Sequence, residues 1–282
     1  MRKTDNLRDK TIADFGDQWS IYPENEGWYG SLELFNDIIF PLLDIEKLKG
    51  TYVAEIGSGT GRIVGMLLNA GVKHIYAIEP SLKAFRVLEN NVQNMEERNK
   101  VTPINTGGEN WTTSRRLDYV FSIGVIHHIP EPGSVIKAAF DALKPGGYLF
   151  IWLYGYEGNE VYLRVVEPIR RITTRLPHEC LRVFVEIIYC ILIVYRYISK
   201  IIHIPFHSYI ENVLWHVTPK YRRLAIYDQL NPAYAKYYRK EEAIQLLENQ
   251  GFKNIEIYNR HGYSWSVLGR KPVAQPIDEP SK

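Results

Sequence analysis

The residues best suited to bind a ligand in this sequence are an acid and three closely spaced glycines. Glu55 lies near the end of an apolar run over residues 52–56, and the glycines follow at once: Gly57, Gly59 and Gly61. This order predicts a buried parallel strand, then a tight turn, and then a helix that begins near Arg62. Glycine adopts positive φ angles and lets a ligand approach without meeting a Cβ atom. The segment therefore predicts a ligand-binding turn, and an ordinary strand-to-helix turn is the alternative.

A second acid follows the next predicted strand. Residues 74–78 form another short apolar run, and Glu79 and Pro80 come directly after it. An acid at the carboxyl end of a strand, roughly 20 residues after a glycine turn, can accept hydrogen bonds from both ribose hydroxyls. A dinucleotide would require a further glycine at position 62, where this chain has Arg62. The pattern favours a different ribose-containing ligand, and the alternative for Glu79 is an exposed acid at a helix start.

Two adjacent histidines mark a third place where chemistry is expected. His127 and His128 follow the strand predicted at residues 117–123. Ligands of open α/β sheets bind at the carboxyl ends of the strands, so either imidazole lies where it can meet a substrate. Histidine is the usual general base toward a hydroxyl group because its pKa lies near neutrality. One of the two is a candidate base, and the alternative is that both only shape the site through hydrogen bonds.

These residues can share one site only if their strands are parallel and end at the same edge of one sheet. Between residues 51 and 153, strand patterns alternate with helical patterns at βαβ spacing, which predicts a parallel sheet with helices on both faces. The predicted strands lie at residues 52–56, 74–78, 101–105, 117–123 and 148–153. A helix from Lys240, closed by Gly251, then precedes a predicted antiparallel pair at residues 252–258 and 264–268.

Three of these stretches resemble motifs of the class I S-adenosylmethionine (SAM)-dependent methyltransferases. They are the glycine turn after Glu55, residues 124–132 after the fourth strand, and the turn at residues 143–147 before the fifth. The resemblance is to the type 11 enzymes that act on small molecules, including those of ubiquinone and menaquinone biosynthesis. It covers residues 50–155 and, more weakly, residues 236–271. It implies an α/β, Rossmann-like, seven-stranded mixed sheet with helices on both faces and an inserted helical cap.

The resemblance also implies SAM as cofactor and S-adenosyl-L-homocysteine as product. The Glu55 carboxylate suits the cationic amino group and sulfonium of SAM, and Glu79 suits its ribose. Methyl transfer is an in-line displacement, so the protein has to hold the accepting atom about 3 Å from the methyl carbon and exclude water. The residues expected to bind the cofactor are Trp19, Glu55, Gly57, Ser58, Gly59, Gly61, Arg62, Glu79, Pro80, Gly108, Glu109 and Ser122.

The segments around the core are expected to close the site. The predicted divisions are a lid segment (1–50), the SAM-binding core (51–155), an inserted helical cap (156–235), the remainder of the core (236–271) and a disordered tail (272–282). The candidate acceptor-side residues are Tyr22, Tyr29, Tyr154, Tyr227 and Asp228. The expected acceptor is a small molecule, such as a glycan or a lipid-linked intermediate, methylated on oxygen. A non-catalytic SAM-binding partner of another enzyme is the alternative function.

The predicted cap contains a very apolar helical pattern at residues 183–203. Its polar residues fall within about a third of the helix circumference: Arg182, Glu186, Tyr189, Arg196, Lys200 and His203. The longest uncharged run, residues 187–195, is far shorter than the roughly 20 residues that span a bilayer. Two alternatives remain. The helix is buried in the cap or in a homodimer, or it contacts a membrane surface or a lipid tail with its basic residues at the headgroups.

The bulk composition is that of an ordinary globular protein, with 45% hydrophobic and 23% charged residues. The net charge is +2, yet residues 162–223 hold ten basic and four acidic side chains. That stretch is too apolar for a phosphate-binding track, so we expect no nucleic-acid partner. Cys180 and Cys190 form no disulfide framework, the eight histidines show no metal-ligand spacing, and the first 30 residues hold no signal-peptide core. We therefore expect no metal, and a cytoplasmic protein that can associate with a membrane surface.

Overall fold

The computed structural model describes residues 3–202, 207–212 and 214–273, and seven strands in these ranges form one mixed sheet. The strands are β1 (Tyr52–Ile56), β2 (His74–Ile78), β3 (Val101–Ile104), β4 (Leu117–Ile123), β5 (Leu143–Tyr154), β6 (Lys253–Arg260) and β7 (Ser264–Arg270). Their order is β3-β2-β1-β4-β5-β7-β6. Neighbours among β1 to β5 are parallel, and β7 is antiparallel to both β5 and β6. The predicted mixed sheet is confirmed.

Helices cover both faces of this sheet, as predicted. They are α1 (Lys3–Ile21), α2 (Leu32–Ile39), α3 (Arg62–Asn69), α4 (Leu82–Gln93), α5 (Gly133–Ala142), α6 (Glu160–Thr173), α7 (His178–Ser199), α8 (His207–Asn212), α9 (Pro219–Leu230) and α10 (Lys240–Glu248). Successive side chains of a strand point to opposite faces. Val53 and Phe121 accordingly join an apolar cluster with α2, α3 and α4. Ala54 and Val120 join a second cluster with α5 and α10.

The helices α6 to α9 form a cap between β5 and α10. Leu181 and Val185 on α7 pack against Ile226 and Leu230 on α9, so the cap has an apolar cluster of its own. α7 begins five residues before the helix predicted at 183–203, and residue 203 lies outside the described ranges. In the described part of the chain, no helix is both long enough and apolar enough to cross a bilayer.

The chain departs from its predicted elements in two places. The sequence pattern does not predict the helix α1, because its apolar residues do not form one continuous stripe. It lies along α4, where Asp17 pairs with Lys83. β5 starts at Leu143 instead of residue 148, because the residues of the predicted turn, 144–147, belong to the strand. The pairing of β5 with β4 shifts its register there, between Leu117 and Tyr119 of β4. Most of the predicted disordered tail, residues 274–282, lies outside the described ranges.

Candidate active site

The glycine turn after β1 is held against the end of β2. The amides of Gly57 and Ser58 donate to the Ile78 carbonyl, at 2.8 and 3.0 Å. Gly57 and Gly59 have φ angles of +82° and +53°, a region that side chains with a Cβ atom rarely adopt. A Cβ atom on Gly57 would also lie 2.4 Å from Val125 in the loop after β4. Glycine is therefore required here both by the turn and by the close approach of the two loops.

Two buried carboxyl groups stand at the strand ends beside this turn. Glu79 accepts hydrogen bonds from the amides of Gly59 and Ser81, each at 2.9 Å. Glu55 has an oxygen, Oε2, that is buried without a hydrogen-bond partner among the described residues. Burial raises the pKa of the Glu79 carboxyl to about 7 and that of the Glu55 carboxyl to about 8. A cationic ligand would stabilise the ionised form of both groups, since a nearby positive charge lowers a carboxyl pKa.

Most of the residues predicted to bind the cofactor line one cavity of about 820 Å³. Those on its wall are Trp19, Glu55, Gly57, Ser58, Gly59, Arg62, Glu79, Pro80, Gly108 and Glu109. Gly61 and Ser122 are not on the wall. Gly61 has a φ of +84° and supports the turn, and the buried Ser122 hydroxyl donates to the Ile56 carbonyl at 3.2 Å. These two residues support the site from behind.

The donor and acceptor groups at this end of the cavity suit a cation that carries a diol and a carboxylate. The unpartnered oxygen of Glu55 can accept from an ammonium group, and Glu79 has acceptor capacity left for hydroxyls. The Arg62 guanidinium lies over the Tyr29 ring at 4.5 Å and lines the cavity, where it can pair with a carboxylate. Among the described residues, no group of His, Cys, Asp and Glu could hold a metal ion.

The helix α1 covers this part of the cavity as a lid. Arg8 pairs with Glu109 at 3.2 Å, which ties the helix to the rim of the site. Phe15 packs edge-on against the His128 ring, with 4.7 Å between centroids, and Trp19 lies against the glycine turn. The sequence predicts Trp19 in this position, whereas Arg8 and Phe15 are additional wall residues whose position depends on the unpredicted helix.

The two histidines occupy different environments. His128 lines the cavity, and its Nδ1 lies 2.8 Å from the Tyr234 carbonyl. A carbonyl oxygen only accepts, so Nδ1 carries the proton and Nε2 of the neutral ring holds a free lone pair. Burial lowers the pKa of the His128 imidazole to about 4, although the Asp228 carboxylate acts in the opposite direction. The ring is therefore uncharged at neutral pH, with its one proton on Nδ1.

His127 lies behind the cavity wall. It is fully buried, and apart from a weak interaction with the Trp152 backbone its ring nitrogens have no hydrogen-bond partner of ordinary geometry among the described residues. Its ring lies against Tyr154, with 3.8 Å between centroids, and burial lowers its pKa well below the ordinary value. This placement suits a residue that supports the position of Tyr154.

A polar cluster joins the lid, the end of β5 and the cap at the opposite side of the cavity. Asp228 accepts from Gln18 Nε2 at 2.8 Å and from the Tyr154 hydroxyl at 2.7 Å. Gln229 donates to the Tyr154 hydroxyl at 2.9 Å and accepts from the hydroxyls of two further tyrosines, Tyr162 and Tyr237. We call these six residues the Asp228 cluster. Burial raises the pKa of the Tyr154 phenol well above its ordinary value, so this hydroxyl remains a donor.

The five predicted acceptor-side residues separate into two groups. Tyr29, Tyr154 and Asp228 line the cavity. Tyr22 and Tyr227 do not; they belong to the apolar cluster of the cap, with ring centroids 6.0 Å apart. Tyr227 is fully buried and its hydroxyl bonds to His178. We therefore assign Tyr22 and Tyr227 to the structure of the cap. Tyr29 lies under Arg62 at the cofactor end, so Tyr154 and Asp228 are the two predicted residues that remain on the acceptor side.

The central part of the chain matches a known family. Residues 54–151 match the Methyltransf_11 model, described as a methyltransferase domain. Over 120 residues the chain is 28% identical to a tRNA U34 carboxymethyltransferase of Idiomarina loihiensis. The aligned stretch covers 41% of this chain but only 36% of that protein. Over 179 residues it is 25% identical to a ubiquinone biosynthesis O-methyltransferase of Vibrio vulnificus. This second alignment covers 59% of this chain and 75% of that protein.

Solved structures share the fold. The pyocyanin biosynthetic protein PhzM aligns with a TM-score of 0.52 and 14% identity, over 85% of this chain and 55% of that one. A SAM-dependent methyltransferase from Methanosarcina mazei aligns with a TM-score of 0.51 and 16% identity, over 83% of this chain and 99% of that one. At such identities the likeness shows the fold alone. The family match and the fold together confirm the predicted class I, SAM-dependent methyltransferase domain and its cofactor.

Proposed function

We propose that this chain transfers the methyl group of SAM to an oxygen of a small-molecule acceptor held between the sheet and the cap. The observation that carries the proposal is the continuity of one cavity. Glu55 and Glu79 line its cofactor end, and Tyr154 and Asp228 line its acceptor end. His128, with its free Nε2, lines the same cavity. Candidate binding groups for two reactants and a candidate base thus share the wall of one cavity.

The cofactor supplies a methyl group on a positively charged sulfur, and the residues of this chain hold it in place. The unpartnered oxygen of Glu55 would accept from the amino group, Glu79 would accept from the ribose hydroxyls, and Arg62 would pair with the carboxylate. Because a nearby positive charge favours an ionised acid, binding of the cofactor would lower the raised pKa of Glu55. The lid helix α1 excludes water, which strengthens these charge interactions.

On the acceptor side, His128 takes the proton of the attacking hydroxyl at Nε2. The Tyr234 carbonyl fixes the ring by accepting from Nδ1, so the free lone pair is directed away from that carbonyl. The Asp228 carboxylate, whose charge already raises the His128 pKa, stabilises the imidazolium that forms. Tyr154 keeps Asp228 in position by donating to it. His127 supports Tyr154 through ring contact and has no direct part in proton transfer.

As the acceptor we propose a glycan or lipid-linked intermediate in preference to a nucleic acid. The relatives named above act, by their names, on tRNA and in ubiquinone biosynthesis. A base of tRNA would have to leave its stack and enter a cavity that α1 and the cap cover. The basic residues of the cap are interleaved with exposed apolar side chains such as Val165 and Ile172, unlike a continuous phosphate-binding track.

Calorimetric titration of SAM, run beside an assay for S-adenosylhomocysteine, tests this function against its rival. An enzyme binds SAM and accumulates the product when a pool of extracted small molecules is added. A non-catalytic partner protein binds SAM and forms no product with any acceptor pool. A protein that binds no SAM at all would contradict both functions.

We also propose that the cap contacts an anionic membrane surface. The outer face of α7 is apolar and exposed along five residues: Val183, Ile187, Ile191, Val194 and Ile198. Arg182 and Lys200 are exposed near the two ends of this face. Apolar burial together with basic residues is the combination by which a helix lies in a lipid headgroup region. The alternative is a homodimer that buries the same face.

A further inference from the structure

The cavity extends beyond the Asp228 cluster into the helices of the cap. Val166 and Ile169 of α6, Ile188 and Leu192 of α7, and Leu224 of α9 all line it. We call the space between these five side chains the cap chamber. Four of them, all except Leu224, also pack against the apolar cluster of the cap. The chamber is therefore a continuation of the acceptor end into the apolar interior of the cap.

Three polar side chains of the cap stand together at the entrance of this chamber. Tyr162, Asp228 and Gln229 belong to the Asp228 cluster and are bonded to one another or to Tyr154. In the described part of the cap, Asp228 is the one charged residue on the cavity wall. Arg164, two residues before Val166 on α6, is exposed to solvent instead.

This distribution determines what kind of group the chamber accepts. Beyond the entrance the wall is mainly apolar, and its polar groups are the hydroxyls of Tyr195 and Tyr221. The Tyr221 hydroxyl already accepts from the Glu26 amide. A charged group placed against Ile188 and Leu192 would lose its hydration and find no ionic partner, which is strongly unfavourable. A hydrocarbon chain in the same place gains the free energy of apolar burial and leaves no polar group without a partner. The polar entrance and the apolar interior therefore match the two ends of an amphiphile.

We propose that the acceptor is an amphiphile whose hydrocarbon chain occupies the cap chamber. The oxygen to be methylated belongs to the polar head, which lies at the Asp228 cluster beside His128. The chain extends between α6, α7 and α9, so its length and not its head group supplies most of the binding free energy. This inference rests on the proposed function and narrows its acceptor: a free glycan does not fit, and a lipid-linked hydroxyl compound does.

The test uses linear alkan-1-ols as probes of the chamber. Calorimetry on the whole chain saturated with SAM gives the dissociation constant of each alcohol from butan-1-ol to decan-1-ol. Each methylene buried in the chamber is expected to tighten binding by about three- to fourfold until the chamber is full. An affinity that does not depend on chain length would overturn the proposal.

Two neighbouring valines provide matched variants. Val166→Trp fills the chamber and is expected to weaken decan-1-ol binding at least tenfold while leaving butan-1-ol nearly unchanged. Val165, the adjacent residue on the same helix, is 58% exposed, and Val165→Trp is expected to behave as wild type. Leu192→Phe is a milder chamber variant if Val166→Trp does not fold. Equal effects at both valines, or no effect of either chamber variant, would show that the alcohols bind elsewhere.

The same samples separate this inference from the proposed function. SAM titrated into the wild-type chain without alcohol reports the cofactor site alone. Chain-length-dependent binding of alcohols by a protein that fails to bind SAM would support the chamber and contradict the methyltransferase function. Normal SAM binding, together with alcohol binding that does not depend on chain length, would support the proposed function and contradict the proposal that the acceptor is an amphiphile.

Discussion

The cofactor end and the acceptor end of the cavity are built in different ways. At the cofactor end, backbone register places the functional groups: Glu55 pairs with Ala77 in the parallel ladder, and the amides of the glycine turn bond to Ile78. At the acceptor end, side chains from distant segments meet, and Gln18, Tyr154 and Asp228 come from the lid, the sheet and the cap. One half of the site is thus fixed by the sheet and the other by a few hydrogen bonds.

This difference implies that the two halves can be damaged separately. Removing a group at the cofactor end should weaken SAM binding, because the strand ends hold that site whatever the cap does. Removing a group at the acceptor end should slow turnover and leave SAM binding intact.

The largest effect is expected at the acceptor end. His128→Ala should lower kcat by about 10²–10⁴-fold, since a positioned general base contributes that much. SAM affinity, measured by calorimetry, should stay within about twofold because His128 is not required to hold the cofactor. At saturating SAM, the wild-type pH profile of kcat/KM for the acceptor should fall on the acid side near pH 4, the pKa of the buried His128 ring, and not near the ordinary histidine value. The variant should lack this limb.

His127→Ala is the matched control for the neighbouring ring. Loss of a fully buried ring should lower the free energy of unfolding by about 1–3 kcal/mol, measured by chemical denaturation, and leave the acid limb in place. A His128→Ala variant with full kcat and only a raised KM would show that His128 merely shapes the acceptor site.

At the cofactor end, Glu79→Ala should weaken SAM binding by about 1.5–3 kcal/mol, because a charged acceptor of hydrogen bonds is lost. Part of this loss comes from the glycine turn, whose Gly59 amide bonds to the Glu79 carboxylate. Glu89→Ala, an exposed acid on α4, is the control and should bind SAM as wild type does. Calorimetric affinities that match between Glu79→Ala and wild type would remove Glu79 from the site.

Glu55→Gln should raise the free energy of unfolding at high pH and weaken SAM binding. The pKa of Glu55 in the folded chain is about 8, above its value in the unfolded chain, so the folded state holds more protons between these values. Wild-type stability without ligand should therefore fall as pH rises from about 4.5 to 8, and the variant should lack that part of the slope. By pH 9 the variant should be more stable by about 1–3 kcal/mol, while binding SAM less tightly.

Denaturation by urea at pH 5 and pH 9 measures the difference, and calorimetry of SAM binding at neutral pH measures the cost to function. Parallel pH dependence of stability in the variant and the wild type would show that Glu55 titrates normally in the folded chain.

The two ends of the cavity also differ in how far the sequence predicts them. The apolar run before Gly57 and the position of Glu79 after the next strand suffice to place both acids, because parallel strands bring their carboxyl ends together. The Asp228 cluster has no such rule. Tyr162 and Tyr237 are bonded through Gln229 only because α6 and the chain before α10 meet in three dimensions.

α1 and α7 show why helical patterns predict less. α1 buries the polar side chain of Gln18 in the Asp228 cluster, so a search for an apolar stripe misses it. In α7 the polar stripe predicted from the sequence is not simply the exposed face: Tyr189 is buried against α9, while apolar residues such as Ile187 face solvent. Periodicity gives the helix, and the neighbour that it packs against decides which face is covered.

The smallest effect is expected at the outer face of α7, outside both halves of the site. We predict weak binding to vesicles that contain phosphatidylglycerol, and loss of binding as salt rises, because each basic residue at a membrane contributes only about 1 kcal/mol. Arg196 was expected to join this attraction, but its guanidinium is paired with Glu211 at 2.7 Å. Arg182→Glu with Lys200→Glu is therefore the sharper pair, and Ile187→Glu tests the apolar contact separately.

Co-sedimentation with vesicles at low and high salt measures the binding, and Tyr258→Glu serves as the control because Tyr258 is an exposed aromatic residue on β6. SAM binding should be the same in all of these variants, since the outer face of α7 does not line the cavity. A wild-type protein that stays in the supernatant at low salt contradicts the membrane proposal. The oligomeric state of the same protein is then measured by analytical ultracentrifugation without vesicles. A dimer that Ile187→Glu converts to a monomer would show that a second copy, and not a lipid surface, covers this face.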